Sequence, residues 1–280
     1  MPTLNQLLGH PARGVLNRSA QFIQQPSRAW YAIRRCALSI IPRPTVFHIT
    51  HYKAGSQWIH RILNALAPDR VVAPEVACPQ FLDRKVLPGK VYPTLYVTRE
   101  EFEAIPLPNP WRRFIVIRDL RDTLISAYFS LKYSHKEIAP QITTIRSRLN
   151  DMTLEQGLLS MTAEWLPPVA AMQRSWAATG EPLIRYADLL TNDVAILERV
   201  LIDHCKMLVT RTELKNVVLA NRFEVRTKGR ERGKEDINSH ERMGVAGEWR
   251  KYFTDAIAKS FKKLHGDVLI STGYERDNNW

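Results

Sequence analysis

The sequence predicts an α/β fold in which a central parallel sheet is flanked by helices. Three short apolar runs have the length and branched or aromatic content of buried strands: Thr45 to Thr50, Phe114 to Arg118 and Leu183 to Tyr186. Each is followed by a segment of helical periodicity, the alternation that builds parallel sheets. The composition is globular, 45% hydrophobic and 24% charged, and 280 residues allow one large domain with a sizeable core.

In chain order, residues 1–44 read as a basic extension and residues 45–280 as the folded domain. The extension carries Arg13, Arg18, Arg28, Arg34, Arg35 and Arg43 and no Asp or Glu. Pro26 divides it, and Pro42 and Pro44 close it. Trp30, Ile33, Ala37, Leu38 and Ile41 share one helical face, which Arg34 interrupts. Two readings fit: a helix packed on the domain, or a targeting or membrane-surface segment. The first strand, Thr-Val-Phe-His-Ile-Thr, leads to Ile59, Ile62, Leu63 and Leu66 at i, i+3, i+4 and i+7. After the second strand Leu124, Tyr128 and Leu131 repeat that spacing. From Arg226 to His240 the density of charge, with Gly229 and Gly233, reads as a loop.

Cys36, Cys78 and Cys205 lie far apart, with neither a Cys-x-x-Cys pair nor metal-ligand spacing. That pattern argues against a disulfide framework and for a reducing, cytoplasmic setting without a metal. No apolar stretch approaches the roughly 18 residues of a membrane span. The net charge of +12 suggests an anionic ligand, a nucleic acid or an anionic membrane. Between Arg211 and Lys251 basic residues outnumber acidic ones, but charge alone does not choose the partner.

The chemistry concentrates where the first strand ends, in His51-Tyr52-Lys53-Ala54-Gly55-Ser56-Gln57-Trp58. A strand, a short glycine-containing loop and a helix start make an anion site, because first-turn amides are unpaired and the helix dipole favours negative charge. Ser56 and Gln57 add side-chain donors and Lys53 a full charge. A Walker A loop places its lysine after the glycine; here Lys53 precedes Gly55, which weighs against an ATP or GTP kinase.

This segment resembles the phosphosulfate loop of the PAPS-dependent sulfotransferases, of the cytosolic type, where PAPS is 3′-phosphoadenosine 5′-phosphosulfate. That loop commonly reads Tyr-Pro-Lys-Ser-Gly-Thr-Thr-Trp. Lys53, Gly55 and Trp58 match it in spacing; Ser56 and Gln57 replace the threonines, and His51 and Tyr52 replace Tyr-Pro. A second segment, Arg118-Asp119-Leu120-Arg121-Asp122-Thr123-Leu124-Ile125-Ser126, resembles the 3′-phosphate motif, with arginine at the strand end and serine eight residues on. A third, Arg242-Met243-Gly244-Val245-Ala246-Gly247-Glu248-Trp249-Arg250, resembles Arg-Lys-Gly-x-x-Gly-Asp-Trp-Lys, with Met243 where lysine is usual. Tyr186, in Arg185-Tyr186-Ala187-Asp188-Leu189, is similar to the tyrosine of Tyr-Glu-Asp-Leu, and Phe223 fits an adenine-stacking phenylalanine.

The resemblance spans roughly Thr45 to Tyr274 and implies a P-loop-NTPase-like sulfotransferase fold using PAPS as co-substrate, with no metal. It implies that Lys53 contacts the oxygen bridging phosphate and sulfate, where charge grows in the transition state. It gives Arg118, Ser126, Arg242 and Gly244 to the 3′-phosphate, and Trp58, Tyr186 and Phe223 to the adenine. The expected acceptor is a small molecule, lipid or glycan, without specific nucleic acid and with membrane contact open to the basic N-terminus.

Two features depart from the pattern. The attacking acceptor needs a general base, yet Lys90-Val91-Tyr92-Pro93-Thr94-Leu95-Tyr96 has Thr94 where cytosolic members have histidine. Glu75, His51 and His135 stay open as candidates. The dimerisation motif Lys-x-x-x-Thr-Val-x-x-x-Glu is broken: Arg250 and Thr254 keep its spacing, but Asp255 and Lys259 occupy the Val and Glu positions. Competing readings are a nucleotide phosphoryl transferase of related topology and a non-catalytic binder of an anionic partner. The first lacks a Walker lysine; the second rests on charge alone.

Overall fold

A computed structural model of the protein describes residues 42–74, 84–135 and 140–280. The basic extension up to Ile41, Cys36, Glu75 and Cys78 lie outside the described residues. Four parallel strands form the sheet: Thr45–Ile49 (β1), Val91–Leu95 (β2), Trp111–Ile117 (β3) and Leu183–Arg185 (β4), in the order β2-β1-β3-β4. Three of them are the strands expected from sequence. The boundaries differ at two ends: β3 begins earlier, at Trp111, and Tyr186 starts a helix rather than ending β4.

Strand β2 was not expected, and Pro93 at its centre explains why. Proline cannot donate to a ladder, so it is confined to edge strands, and β2 is an edge strand of the described sheet. Its other flank is partly covered, since Val71 bridges to Val91 in parallel.

Alternation along the strands sends side chains to two faces. Val46, Phe114 and Val116 point to one face, where Ile59, Ile62 and Leu63 of helix Ser56–Leu66 (α1) pack against them. Phe47, Ile49, Ile115 and Ile117 point to the other and meet Phe102 of Arg99–Glu103 (α2) and Trp176. After β3 the chain forms Leu120–Phe129 (α3), which continues as a π-helical turn, Ser130–Ser134. Then come Pro140–Asn150 (α4), Leu154–Glu164 (α5) and Leu166–Ala177 (α6), the last carrying Trp176. Beyond β4 lie Tyr186–Leu197 (α7), Arg211–Ala220 (α8), Phe223–Arg226 (α9) and Asp255–Ser271 (α10).

Sequence sets several of the helix starts directly. Thr98, Thr153 and Thr210 each form a capping box with the Glu or Gln three residues on, and Asp119 and Thr254 cap α3 and α10 by their side chains. The face Ile59, Ile62, Leu63, Leu66 is buried, as are Leu124, Tyr128 and Leu131, and Arg226 to His240 is irregular apart from the end of α9.

The strand order places the site. From β1 the chain crosses to β2 on one side, then returns past β1 to β3 on the other. Such a reversal opens a crevice beyond the carboxyl ends of the two central strands. The loops that follow β1 and β3 are the ones carrying Lys53 and Arg118.

Candidate active site

The carboxyl ends of β1 and β3 are tied together by His51. This histidine is 1% exposed. Its Nδ1–H donates to the Tyr52 carbonyl at 2.8 Å, so Nε2 accepts, from the Arg118 amide at 3.1 Å and the Gln173 side-chain amide at 2.7 Å. Thr50 adds a bond to the Val116 carbonyl at 2.9 Å. His51 is thus a neutral clamp, and its lone pair is spent inside the protein. It is removed as a candidate base.

Burial first, and Arg118 to a smaller degree, lower the His51 pKa to about 4, against the hydrogen bond to Tyr52; burial lowers that of His48 to about 3. Both bind protons more readily in the unfolded chain. The stability they confer is therefore complete above pH 6.5 and is lost as pH falls from 6.5 towards 4. Each should cost up to about 1.4 kcal/mol per pH unit over that window. Urea midpoints measured between pH 7 and 4.5 should fall steadily; a flat profile contradicts the neutral clamp.

Past His51 the loop turns sharply. Lys53 has φ 67° and Gly55 φ 85°, both left-handed. Gly55 is required twice over, since a Cβ there would also lie 2.8 Å from the Tyr186 ring. The turn delivers the chain into α1, whose first turn holds no acidic residue, and a helix start favours an anion. The Ser56 hydroxyl is hydrogen-bonded to the Tyr96 hydroxyl at 2.8 Å, and Gln57 is exposed.

Lys53 and Arg118 meet here. The Arg118 guanidinium donates to the Lys53 carbonyl at 3.1 Å and the Val245 carbonyl at 3.2 Å, and it lies 4.8 Å from the Tyr186 ring centre. Its Nε is buried with no hydrogen-bond partner. Burial in the crevice, then the charges of Arg118 and Arg242, lower the Lys53 ammonium to about 8, with Glu241 opposing. A crevice where one cation lowers the pKa of another and a buried guanidinium donor is unspent suits an anionic ligand.

One cleft brings Lys53, Arg118, Ser126, Arg242, Met243 and Gly244 together. The second and third sequence motifs are joined by Asp122, whose carboxylate accepts from the amides of Gly247 at 2.6 Å and Trp249 at 3.0 Å. Burial raises the Asp122 pKa against these bonds and the charge of Arg118. Arg242 lines the cleft but is ion-paired with Glu235 and Glu248. Met243 is nearly buried, so this position offers the cleft no cation.

The aromatic residues flank the cleft rather than line it. Trp58 meets Tyr186 edge to face, with ring centres 6.3 Å apart. Phe223 packs on Gly244, where a Cβ would lie 2.6 Å from its ring, and the Arg230 guanidinium lies 4.9 Å from the ring centre.

Sequence reasoning gave no site role to six residues of the cleft wall: Ser130, Ser134, Ser239, His240, Val245 and Glu248. Ser130 and Ser134 follow Ser126 at i+4 and i+8, a spacing that was readable on the helix. His240 was not, because nothing in an irregular loop fixes where a side chain ends up. Thr94 is nearly buried with φ 63°, its amide bonded to His48 Nδ1 at 3.3 Å, so the position aligned with the family histidine serves structure. His135 follows the π-helical turn, its amide bonded to the Ser130 carbonyl at 2.7 Å.

Among the described residues no group of three or more His, Cys, Asp or Glu could hold a metal ion, and no helix is long and apolar enough to cross a membrane. No protein-family model and no curated protein matches the sequence. Solved structures do match. Mouse sulfotransferase SULT7A1 complexed with PAP is 15% identical, with 86% of this chain and 90% of that one covered at a TM-score of 0.58. Retinol dehydratase in a complex with retinol and PAP is 17% identical, with 85% of each chain covered at a TM-score of 0.51. With its parallel sheet flanked by helices, this chain has the sulfotransferase fold.

Proposed function

We propose that this protein is a PAPS-dependent sulfotransferase, moving a sulfuryl group to a hydroxyl or amine of a small-molecule, lipid or glycan acceptor. The observation that carries the reading is the pairing of Lys53 and Arg118 at the switch point of the sheet, on one cleft with Ser126, Arg242 and Gly244. Both structural neighbours named above were crystallised with PAP, the nucleotide product of PAPS, and one also with retinol.

The chain's own groups supply what the reaction needs. The α1 amides and Lys53 would hold the 5′-phosphosulfate, and Lys53 would neutralise the phosphate as it leaves. Arg118 and Ser126 would take the 3′-phosphate, the guanidinium through its unspent Nε. Gly244 would add a backbone amide, and Arg242 would join by exchanging a carboxylate for phosphate. Trp58, Tyr186 and Phe223 would flank the adenine. The reaction is assigned to residues 45–280 in a cytoplasmic setting, with the basic extension 1–44 outside the chemistry.

Incubation with ³⁵S-labelled PAPS and a panel of phenols, sterols, hydroxylated lipids and glycans tests this. Label should pass to at least one acceptor class, and Lys53→Ala should stop it. Label that stays on the nucleotide throughout, with tight nucleotide binding, supports a non-catalytic binder instead.

A further inference from the structure

Two side chains on the cleft wall are of the types that serve as general bases, Glu248 and His240. Glu248 is nearly buried and its carboxylate is held in an ion pair with Arg242, so protonating it would break that pair. His240 is solvent-accessible and borders the same cleft as Lys53. The serine hydroxyls there are no bases at neutral pH, and His51 is spent in its clamp.

The loop holds His240 from both sides. Arg230 donates to the Ser239 hydroxyl at 3.2 Å and to the carbonyls of Glu241 and Arg242. Glu241 in turn is paired with Arg61 of α1 at 3.1 Å. The residues either side of His240 are therefore fixed, one to the loop and one to the helix that the phosphosulfate loop begins. A base needs that kind of support to stay at a set distance from the reacting atoms.

We propose that His240 is the general base of the transfer, an assignment that rests on the sulfotransferase reading above. The acceptor O–H or N–H gives its proton to a ring nitrogen of His240. The acceptor lone pair forms the new bond to sulfur, and the bond from sulfur to the bridging oxygen breaks. Its electron pair stays on the 5′-phosphate beside Lys53. The products are the sulfated acceptor and adenosine 3′,5′-bisphosphate, and the proton on His240 passes to solvent.

The charges around the ring suit this order of events. In the free protein partial burial, then Lys53, lower the His240 pKa to about 4; Arg61 and His135 act the same way and Glu241 opposes them. The imidazole is thus neutral at pH 7, with a lone pair available. Donor binding would bring phosphate and sulfuryl charge to Lys53, offset those cations and raise the basicity of His240 as the acceptor arrives.

The first test needs no acceptor. Wild-type protein is treated with diethyl pyrocarbonate at pH 7, with and without saturating adenosine 3′,5′-bisphosphate, and modified histidines are mapped by mass spectrometry. His240 should react in the free protein and be protected about tenfold by the nucleotide, while His51 stays unmodified. A His240 that is inert, or equally reactive with nucleotide bound, overturns the assignment. Calorimetry on the same sample separates the two levels: no bisphosphate binding defeats the sulfotransferase reading itself. In turnover of radiolabelled PAPS with 2-naphthol, His240→Gln should lower kcat about 10²–10⁴-fold with bisphosphate affinity within about twofold. The acid limb of the pH profile should vanish, and added imidazole should restore part of the rate to His240→Ala. A variant of normal kcat, or one whose loss lies wholly in nucleotide affinity, refutes the role.

Discussion

Replacing Lys53 with alanine should lower kcat by about 10²–10³ while changing donor affinity far less. The bond that breaks leaves its electrons on a phosphate oxygen, so a cation at that oxygen matters most in the transition state. The α1 amides and Arg118 remain to hold the nucleotide, which keeps the ground state bound. Lys53→Arg should recover only part of the rate, because a planar guanidinium does not reproduce a point charge at one oxygen. There is a pH signature as well. With its ammonium at about 8 in the free protein, Lys53 is charged below that pH and neutral above it. Donor kcat/KM should therefore fall as pH rises through about 8. The kcat limb should lie at higher pH, since the anions of bound PAPS favour the charged form. A Lys53→Ala enzyme of near-normal kcat refutes the mechanism even if the nucleotide assignment holds.

Arg118→Ala should weaken donor binding by roughly ten- to a hundredfold, the value of a charge-assisted contact of about 1.5–3 kcal/mol. Unlike Lys53, Arg118 also carries structure, since its guanidinium bridges the Lys53 and Val245 carbonyls. Its loss should loosen the phosphosulfate loop from the third motif, so kcat should fall alongside affinity. Arg118→Lys should rescue little, because an ammonium cannot reach two carbonyls and a phosphate in one plane. Calorimetry with adenosine 3′,5′-bisphosphate, together with a thermal melt to verify folding, measures this. An unchanged dissociation constant in a folded variant contradicts the placement of the 3′-phosphate at Arg118.

Sequence reached the fold through local signals. Strands β1 and β3 are buried on both faces and read as continuous apolar runs, and α1 shows its face in Ile59, Ile62, Leu63 and Leu66. Strand β2 was hidden because Pro93 is tolerated only at an edge, and edges are a property of the sheet rather than of the segment. The anion site was legible for a similar reason: a strand, a glycine turn and a helix start are consecutive in the chain. Three pieces of the site are not consecutive. The His51 clamp spans 67 residues to the Arg118 amide and 122 to Gln173, and Asp122 reaches the Gly247 amide 125 residues away. His51 stayed open as a candidate base in sequence because its partners are assembled only by the sheet and α6. Arg242 looked like a free phosphate ligand, yet its partners Glu235 and Glu248 sit in the same irregular stretch, where no periodicity shows which charges meet.

The central claim is that this cleft recognises a nucleotide by a phosphate at the 3′ position as well as the 5′. Isothermal titration of the wild-type protein with adenosine 3′,5′-bisphosphate, AMP and ATP tests it most directly, since it needs neither acceptor nor turnover. Loss of the 3′-phosphate would remove the contacts proposed for it with Arg118 and Ser126. The bisphosphate should therefore bind at least about tenfold more tightly than AMP, which corresponds to about 1.4 kcal/mol. ATP should gain nothing from its β- and γ-phosphates, for which the loop has no lysine after its glycine. Equal affinity for AMP and the bisphosphate, or tighter binding of ATP, contradicts the account.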